Sequence, residues 1–275
     1  MTDMPEASKI SGIKITLAVI PALLIASVCV ALYLGASADQ EESEPLEGDI
    51  TVPEMSDYLF KLNNLIGKRE IGTSAGQKAF RQLNAMTAGT LGPQNLGYEV
   101  YRTQTDSAKG LLWSTLWIEA GDRDSREPVV LAIPQASRGS GPAFGFGFAE
   151  YLTSHQTDVG VRIVFYPPLV EGDPAEWIWA RCGKEGTLMK GFVMVTGDEE
   201  PNRSPRFLVP GALKSKIDAL SRSEIWNEDA KIEVGNHPVL EVKLGDDLLF
   251  SREEHSQLLI RMMPVIKELV ELLNE

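Results

Sequence analysis

Cysteine and histidine are both scarce in this chain. Its 275 residues hold two of the first, Cys29 and Cys182, and three of the second, His155, His237 and His255. Two cysteines so far apart supply neither a disulfide framework nor a thiolate zinc cluster. Positive charge is also short. Lys and Arg number 26 against 39 Asp and Glu, for a net charge of −13. That balance argues against nucleic acid as a partner, whose phosphates attract Lys and Arg, and against a domain lying flat on anionic lipid. The chain has no Gly-Lys-Ser/Thr ending of a phosphate loop, so one common catalytic frame is missing. It shows no internal repeat.

Charge is absent altogether from residues 15–38, a run rich in Leu, Ile, Val and Ala. A bilayer-spanning helix needs about 20 apolar residues, and this run is long enough. Lys9 and Lys14 precede it, while Asp39, Glu41, Glu42 and Glu44 follow. The positive-inside bias then places the amino terminus in the cytoplasm and the main domain outside it. A cleaved signal peptide is the competing reading, because Ala36-Ser37-Ala38 has the small residues of a cleavage site. Signal cores run about 7–15 residues, and the greater length here favours an uncleaved anchor. Asp3 and Glu6 offset the two lysines, so the net charge lies beyond the apolar run. The expected organisation is a cytoplasmic tail over 1–14, a transmembrane anchor in membrane lipid over 15–38, an acidic linker over 39–53, and one exported domain over 54–275. The linker carries six acidic residues and two prolines, which keep a chain extended.

Within the exported part, Tyr58, Leu59, Leu62, Leu65 and Ile66 recur at helical spacing. A second helix is predicted from Ser74, with Gln77 in the capping-box position, through Phe80, Leu83 and Met86. Aromatic and β-branched runs predict strands over Tyr98 to Arg102 and Leu112 to Ile118. Val129 to Ile133 is wholly apolar after Pro128, the pattern of a strand covered on both faces. A helix is expected over Phe146 to Leu152, a strand over Val161 to Tyr166, a short helix over Ala175 to Ala180, and strands over Phe192 to Val195 and Val239 to Val242. A long final helix carries Leu258, Leu259, Met262, Val265, Ile266, Leu269 and Leu272 on one side, with Ser251 and Glu254 as its capping box. Helices alternating with buried strands predict a three-layer α/β/α domain around a mainly parallel, mixed sheet.

Four short pieces, in order, resemble the zinc-dependent aminopeptidases of metallopeptidase family M twenty-eight. Arg69-Glu70-Ile71-Gly72-Thr73 is similar to that family's Arg-x-x-Gly-Ser segment, and Gly97-Tyr98-Glu99-Val100 to its Gly-Tyr-x-Val strand start. Val129 to Ser137 resembles the strand that ends in its metal loop, and Ile163-Val164-Phe165-Tyr166 the strand before its catalytic glutamates. The resemblance runs from about Met55 to the end and implies the aminopeptidase fold. Its metal chemistry does not carry over. The His and Asp of the family's His-x-Asp motif fall on Pro134 and Ala136, and the loop of its bridging Asp on Gly139-Ser140-Gly141-Pro142-Ala143, which has no carboxylate. The glutamate pair falls on Pro167-Pro168-Leu169-Val170, with only Glu171 near. A further Asp falls on Met194, and the final His on a stretch, 243–250, without histidine. Two close zinc ions need several neutral or anionic donors and a base for the bound water. The resemblance therefore implies a degenerate member with no metal and no cofactor, and a relict cleft around Pro134, Ala136, Leu169, Val170, Glu171 and Met194. The family also contains non-catalytic members.

Other clusters read as structure. Glu253-Glu254-His255 are sequential on a helix and point apart, and its acidic first turn suits the helix dipole. The run from Arg138 to Gly147 is a glycine-rich loop allowing close helix–sheet packing rather than a nucleotide site, since no acidic residue closes a second strand. Ser137 and Ser140 sit in the region for a nucleophile without a nearby histidine. Asp198, Glu199 and Glu200 form an acidic turn, with calcium as the rarer alternative. The expected function is a membrane-anchored, non-catalytic, aminopeptidase-like domain that binds or scaffolds, with a protein or peptide partner at the relict cleft. The alternative is an exported hydrolase with displaced ligands or a different nucleophile.

Overall fold

The computed structural model describes residues 49–106, 112–136, 139–167, 174–183, 186, 188–196, 205–210, 213, 231–235, 240–244 and 250–274. The predicted tail, anchor and most of the acidic linker lie outside these. Among the described residues no helix is long and apolar enough to cross a membrane. Residues 44–275 form one compact unit.

Folded structure begins before residue 54. Ile50 is buried, and α1 spans Val52–Phe60. The Glu54 carboxylate accepts from the Thr51 backbone N–H at 2.8 Å and from its hydroxyl at 2.6 Å. Pro53 stands in the first turn, where a missing N–H breaks no helical bond. The predicted helix over Tyr58 to Ile66 is thus the end of α1 followed by a π-helical segment, Lys61–Ile66, closed by Gly67 at φ 74°. Next comes α2, Ser74–Leu91, capped one residue earlier than expected: Thr73 Oγ1 accepts from Gly76 N at 2.9 Å.

The strands are β1 (Tyr101–Asp106), β2 (Leu112–Gly121), β3 (Val129–Pro134), β4 (Gly160–Tyr166), β5 (Gly191–Thr196), β6 (Arg206–Pro210), β7 (Lys231–Gly235) and β8 (Leu240–Lys243). They form one sheet in the order β1-β2-β4-β3-β5-β8-β6-β7. The centre, β4-β3-β5-β8, is parallel, and β1, β2 and the β6–β8 pairing are antiparallel. The remaining helices are α3 (Ser140–Ser154), α4 (Pro174–Cys182) and α5 (Arg252–Asn274). On α5 the predicted capping box is present, with Ser251 N to Glu254 Oε2 at 2.9 Å and Glu254 N to Ser251 Oγ at 3.3 Å.

Alternation along the strands sets the layers. Leu116, Ile118, Leu131, Ile133, Ile163, Phe165, Val193 and Val242 face one side and pack in a core with α1, α2, α3 and α5. Val130, Ala132, Val164, Tyr166 and Phe192 face the other, against Ala175, Ile178 and Cys182 of α4. Burial of Phe144, Phe146 and Phe148 on α3 contributes about 2–3 kcal/mol each.

The glycine-rich run is helix rather than loop. A Cβ at Gly145 would come within 2.3 Å of Ile133 Cδ1 and 2.7 Å of Phe165 Cζ, so glycine lets α3 lie directly on the sheet. The strand expected at Tyr98 starts three residues later, because Gly97 (φ 75°) turns the chain and Tyr98 packs inward, its hydroxyl donating to Ala149 O at 2.8 Å. Strands β6 and β7 lacked a strong apolar signal.

At the contact of α1 with α3, Tyr58 Oη donates to Glu150 Oε2 at 3.2 Å. Burial, and then the Glu54 charge, push the Glu150 carboxyl above its ordinary range. A carboxyl shifted up adds stability below its unfolded-state pKa and loses it as pH rises through the folded-state value. Glu150→Gln keeps an acceptor for Tyr58 and removes the charge. It should therefore raise the melting temperature at pH 7–8 by about 2–4 °C, an advantage that fades towards pH 4. A lower melting temperature at pH 8 would show that the carboxylate is favourable there.

Candidate functional site

In open α/β sheets ligands gather outside the carboxyl ends of the parallel strands. Here β3 ends at half-buried Pro134, fully buried Gln135 and exposed Ala136. Tyr166 and Pro167 end β4, and Thr196 ends β5. The relict-cleft residues Leu169, Val170 and Glu171 lie outside the described residues, as do Ser137, His237 and the acidic turn at Asp198 to Glu200. Of the expected cleft residues, then, Pro134, Ala136 and Met194 are placed. Met194 is half-buried on β5, where its sulfur accepts from Tyr166 Oη at 3.1 Å. Burial, and then the Glu241 charge, push the Tyr166 phenol far above its usual value.

The residue between Pro134 and Ala136 organises this edge. Gln135 N donates to Tyr166 O at 2.8 Å. Its side-chain amide Nε2 donates to Ser114 O at 2.8 Å, Phe165 O at 3.1 Å and Asn84 Oδ1 at 3.1 Å, joining β2, β4 and α2. Arg69 Nε donates to Gln135 O at 2.7 Å and Arg69 Nη1 to Gly67 O at 3.0 Å, so Arg69 ties this turn to the end of the π-helical segment. From that segment Asn63 Oδ1 accepts from Gly139 N at 3.2 Å, at the start of α3. A Cβ at Gly139 would collide with the Asn63 side chain. Arg69 stood in the sequence as the first residue of a family-like segment, whereas the roles of Gln135, Asn63 and Asn84 were not read there. A lone buried amide after five apolar strand residues was the available signal for Gln135.

The two described histidines lie apart, each on a structural duty. His155 follows α3, stacks on Tyr151 at 4.0 Å, and its Nδ1 lies 3.3 Å from Asp49 Oδ1. His255 is buried in the first turn of α5, stacked with Phe250 at 5.3 Å. Ser140 is fully buried in the first turn of α3. Burial lifts the Cys182 thiol to about 11, and its Sγ donates to Ile178 O, which makes it an inert core residue. Among the described residues no three His, Cys, Asp or Glu side chains are grouped to hold a metal ion.

No protein-family model matches the chain, and no curated protein matches it in sequence. Solved structures do resemble it in fold. A Zn-dependent exopeptidase from Parabacteroides distasonis has a TM-score of 0.54 at 13% identity, over 82% of this chain and 99% of that one. Glutaminyl cyclase from Porphyromonas gingivalis scores 0.53 at 14% identity, covering 80% and 98%. An Acidobacteriales bacterium glutaminyl cyclase scores 0.55 at 14% identity, covering 84% and 97%. The chain thus has the mixed α/β fold of zinc exopeptidase-like and glutaminyl cyclase structures. At these identities the likeness concerns the fold alone.

Proposed function

We propose that this protein is a membrane-anchored, non-catalytic relative of the zinc aminopeptidases, whose exported domain binds or scaffolds a protein or peptide. The observation that carries the reading is the end of β3. Pro134 and Ala136 offer no donor atom, and Gln135 between them spends its side-chain amide on the carbonyls of two flanking strands and on Asn84. A loop meant to hold zinc needs imidazole or carboxylate at such a place, supported by outer partners that orient it. Here the polar groups of Arg69 and Gln135 are directed at backbone carbonyls instead. The uncharged run over 15–38, with lysines before it, supports the anchor.

The test uses full-length protein in membranes. The chain should stay with the membrane fraction after carbonate washing, and those membranes should show no zinc-dependent release from aminoacyl p-nitroanilides beyond membranes lacking it. Soluble protein beginning near Asp39 would replace the anchor with a cleaved signal. Turnover that rises with added zinc would favour the hydrolase reading instead.

A further inference from the structure

The sheet ends at β1, which pairs with β2 on one side and, among the described residues, with no strand on the other. Its outer row of backbone N–H and C=O groups is a template for another strand. Proteins usually blunt such an edge with proline, lysine, a bulge or a very short strand. Here β1 runs six residues, Tyr-Arg-Thr-Gln-Thr-Asp, without proline or lysine. Its register advances one residue at a time from Tyr101 opposite Trp117 to Asp106 opposite Leu112, so no bulge bends it away. Thr103 and Thr105 are β-branched and favour an extended chain. Arg102 and Gln104 are exposed. The neighbouring strand holds the edge in shape: Tyr101 stacks on Trp117 at 5.5 Å, and Arg102 Nε donates to Ser114 Oγ at 2.9 Å.

Charge selects the occupant. The strand carries one positive residue, Arg102, and one negative, Asp106. Residues opposite each other in paired strands share a face of the sheet, so a two-fold antiparallel pair must be centred on a residue and not between two. Centring it on Gln104 sets Arg102 of each copy opposite Asp106 of the other. Thr103 then stands opposite Thr105, and Gln104 opposite itself. Cross-strand pairs of opposite charge and of threonines are both favourable. Parallel pairing in register would instead set Arg102 against Arg102 and Asp106 against Asp106, and like charges opposite each other repel. The edge is complementary to its own two-fold copy.

We propose that β1 is a self-pairing edge, through which two copies of this chain join antiparallel into one continuous sheet. Six residues a side is far fewer than the roughly 20–30 of a standard interface, so the pairing is weak and reversible. It rests on β1 and not on the end of β3, so its failure would leave the proposed function untouched.

Covalent trapping in the full chain tests it. Cys29→Ala leaves Cys182, which is buried, as the remaining native cysteine. In that background Gln104→Cys should give a disulfide-linked dimer under mild oxidation. Opposite residues of antiparallel strands stand about 4.5–5.5 Å apart at Cα, within disulfide reach. Glu127→Cys, exposed between β2 and β3, should give far less. Adding Arg102→Glu to Gln104→Cys should cut the dimer yield about tenfold, because two attractive pairs become two repelling ones. Asp106→Arg should do the same from the other side, which keeps the test decisive if loss of the Ser114 bond unsettles Arg102→Glu. Both charge changes together should restore the yield. No covalent dimer from Gln104→Cys in protein that melts like the parent would overturn self-pairing. So would a yield indifferent to the single charge changes, or one that stays low in the double reversal. A disulfide to a different polypeptide in place of the copy would overturn it too, and would mark β1 as an edge for a foreign strand.

Discussion

Arg162→Met should lower the unfolding free energy by about 3–5 kcal/mol, the loss expected when one partner of a buried ion pair is removed. Arg162 is 2% exposed and its partner Glu119 11% exposed, with 2.7 Å between Nη2 and Oε1. The guanidinium also donates to Cys182 O, a carbonyl at the end of α4, and lies over Trp179. One side chain thus holds the sheet, a helix terminus and an aromatic ring together, with a positive charge at the favourable end of the helix. Lysine would not replace it, because the planar fork reaches two acceptors at once. Adding Glu119→Gln to Arg162→Met should recover part of the loss, since the carboxylate is then no longer buried beside a missing cation. Chemical unfolding of the two single variants and the double variant measures this. A loss below about 1 kcal/mol in Arg162→Met would show the pair behaving like an exposed one.

Gln135→Ala should cost about 3 kcal/mol, because its buried amide serves the backbones of β2 and β4 together with α2. Removing it leaves the carbonyls of Ser114 and Phe165 without that donor in the core, and opens a space that the neighbouring strands cannot close. Gln135→Glu tests the assignment further, since a carboxylate would face those carbonyls with acceptors only and should be worse than alanine at neutral pH. Stability close to the parent in both variants would mean that the end of β3 needs no lock.

The central strands were legible because Val129 to Ile133 is wholly apolar and Val161 to Tyr166 is apolar on both parities but for Arg162, as expected of strands covered by helices on both sides. The final helix was legible from its capping box. Strands β6 and β7 were not, because Arg206 to Pro210 is short and bounded by prolines, and Lys231 to Gly235 alternates charge with β-branched residues in only five positions. The glycine run misled in the opposite direction. Glycine is a poor helix former, yet close contact with Ile133 and Phe165 overrides that preference at Gly145. At the site, Pro134 and Ala136 were visible as residues that cannot ligate. The Gln135 network was hidden, since its partners Asn84, Ser114 and Phe165 are distant in sequence and meet only through the register of the sheet.

Elemental analysis of the purified full chain, paired with melting curves before and after chelation, tests most directly whether this fold works without metal. A native state that gains nothing from metal linkage should contain no stoichiometric zinc and should keep its melting temperature in chelator. Zinc near one ion per chain, or a large fall in melting temperature once it is removed, would contradict the account.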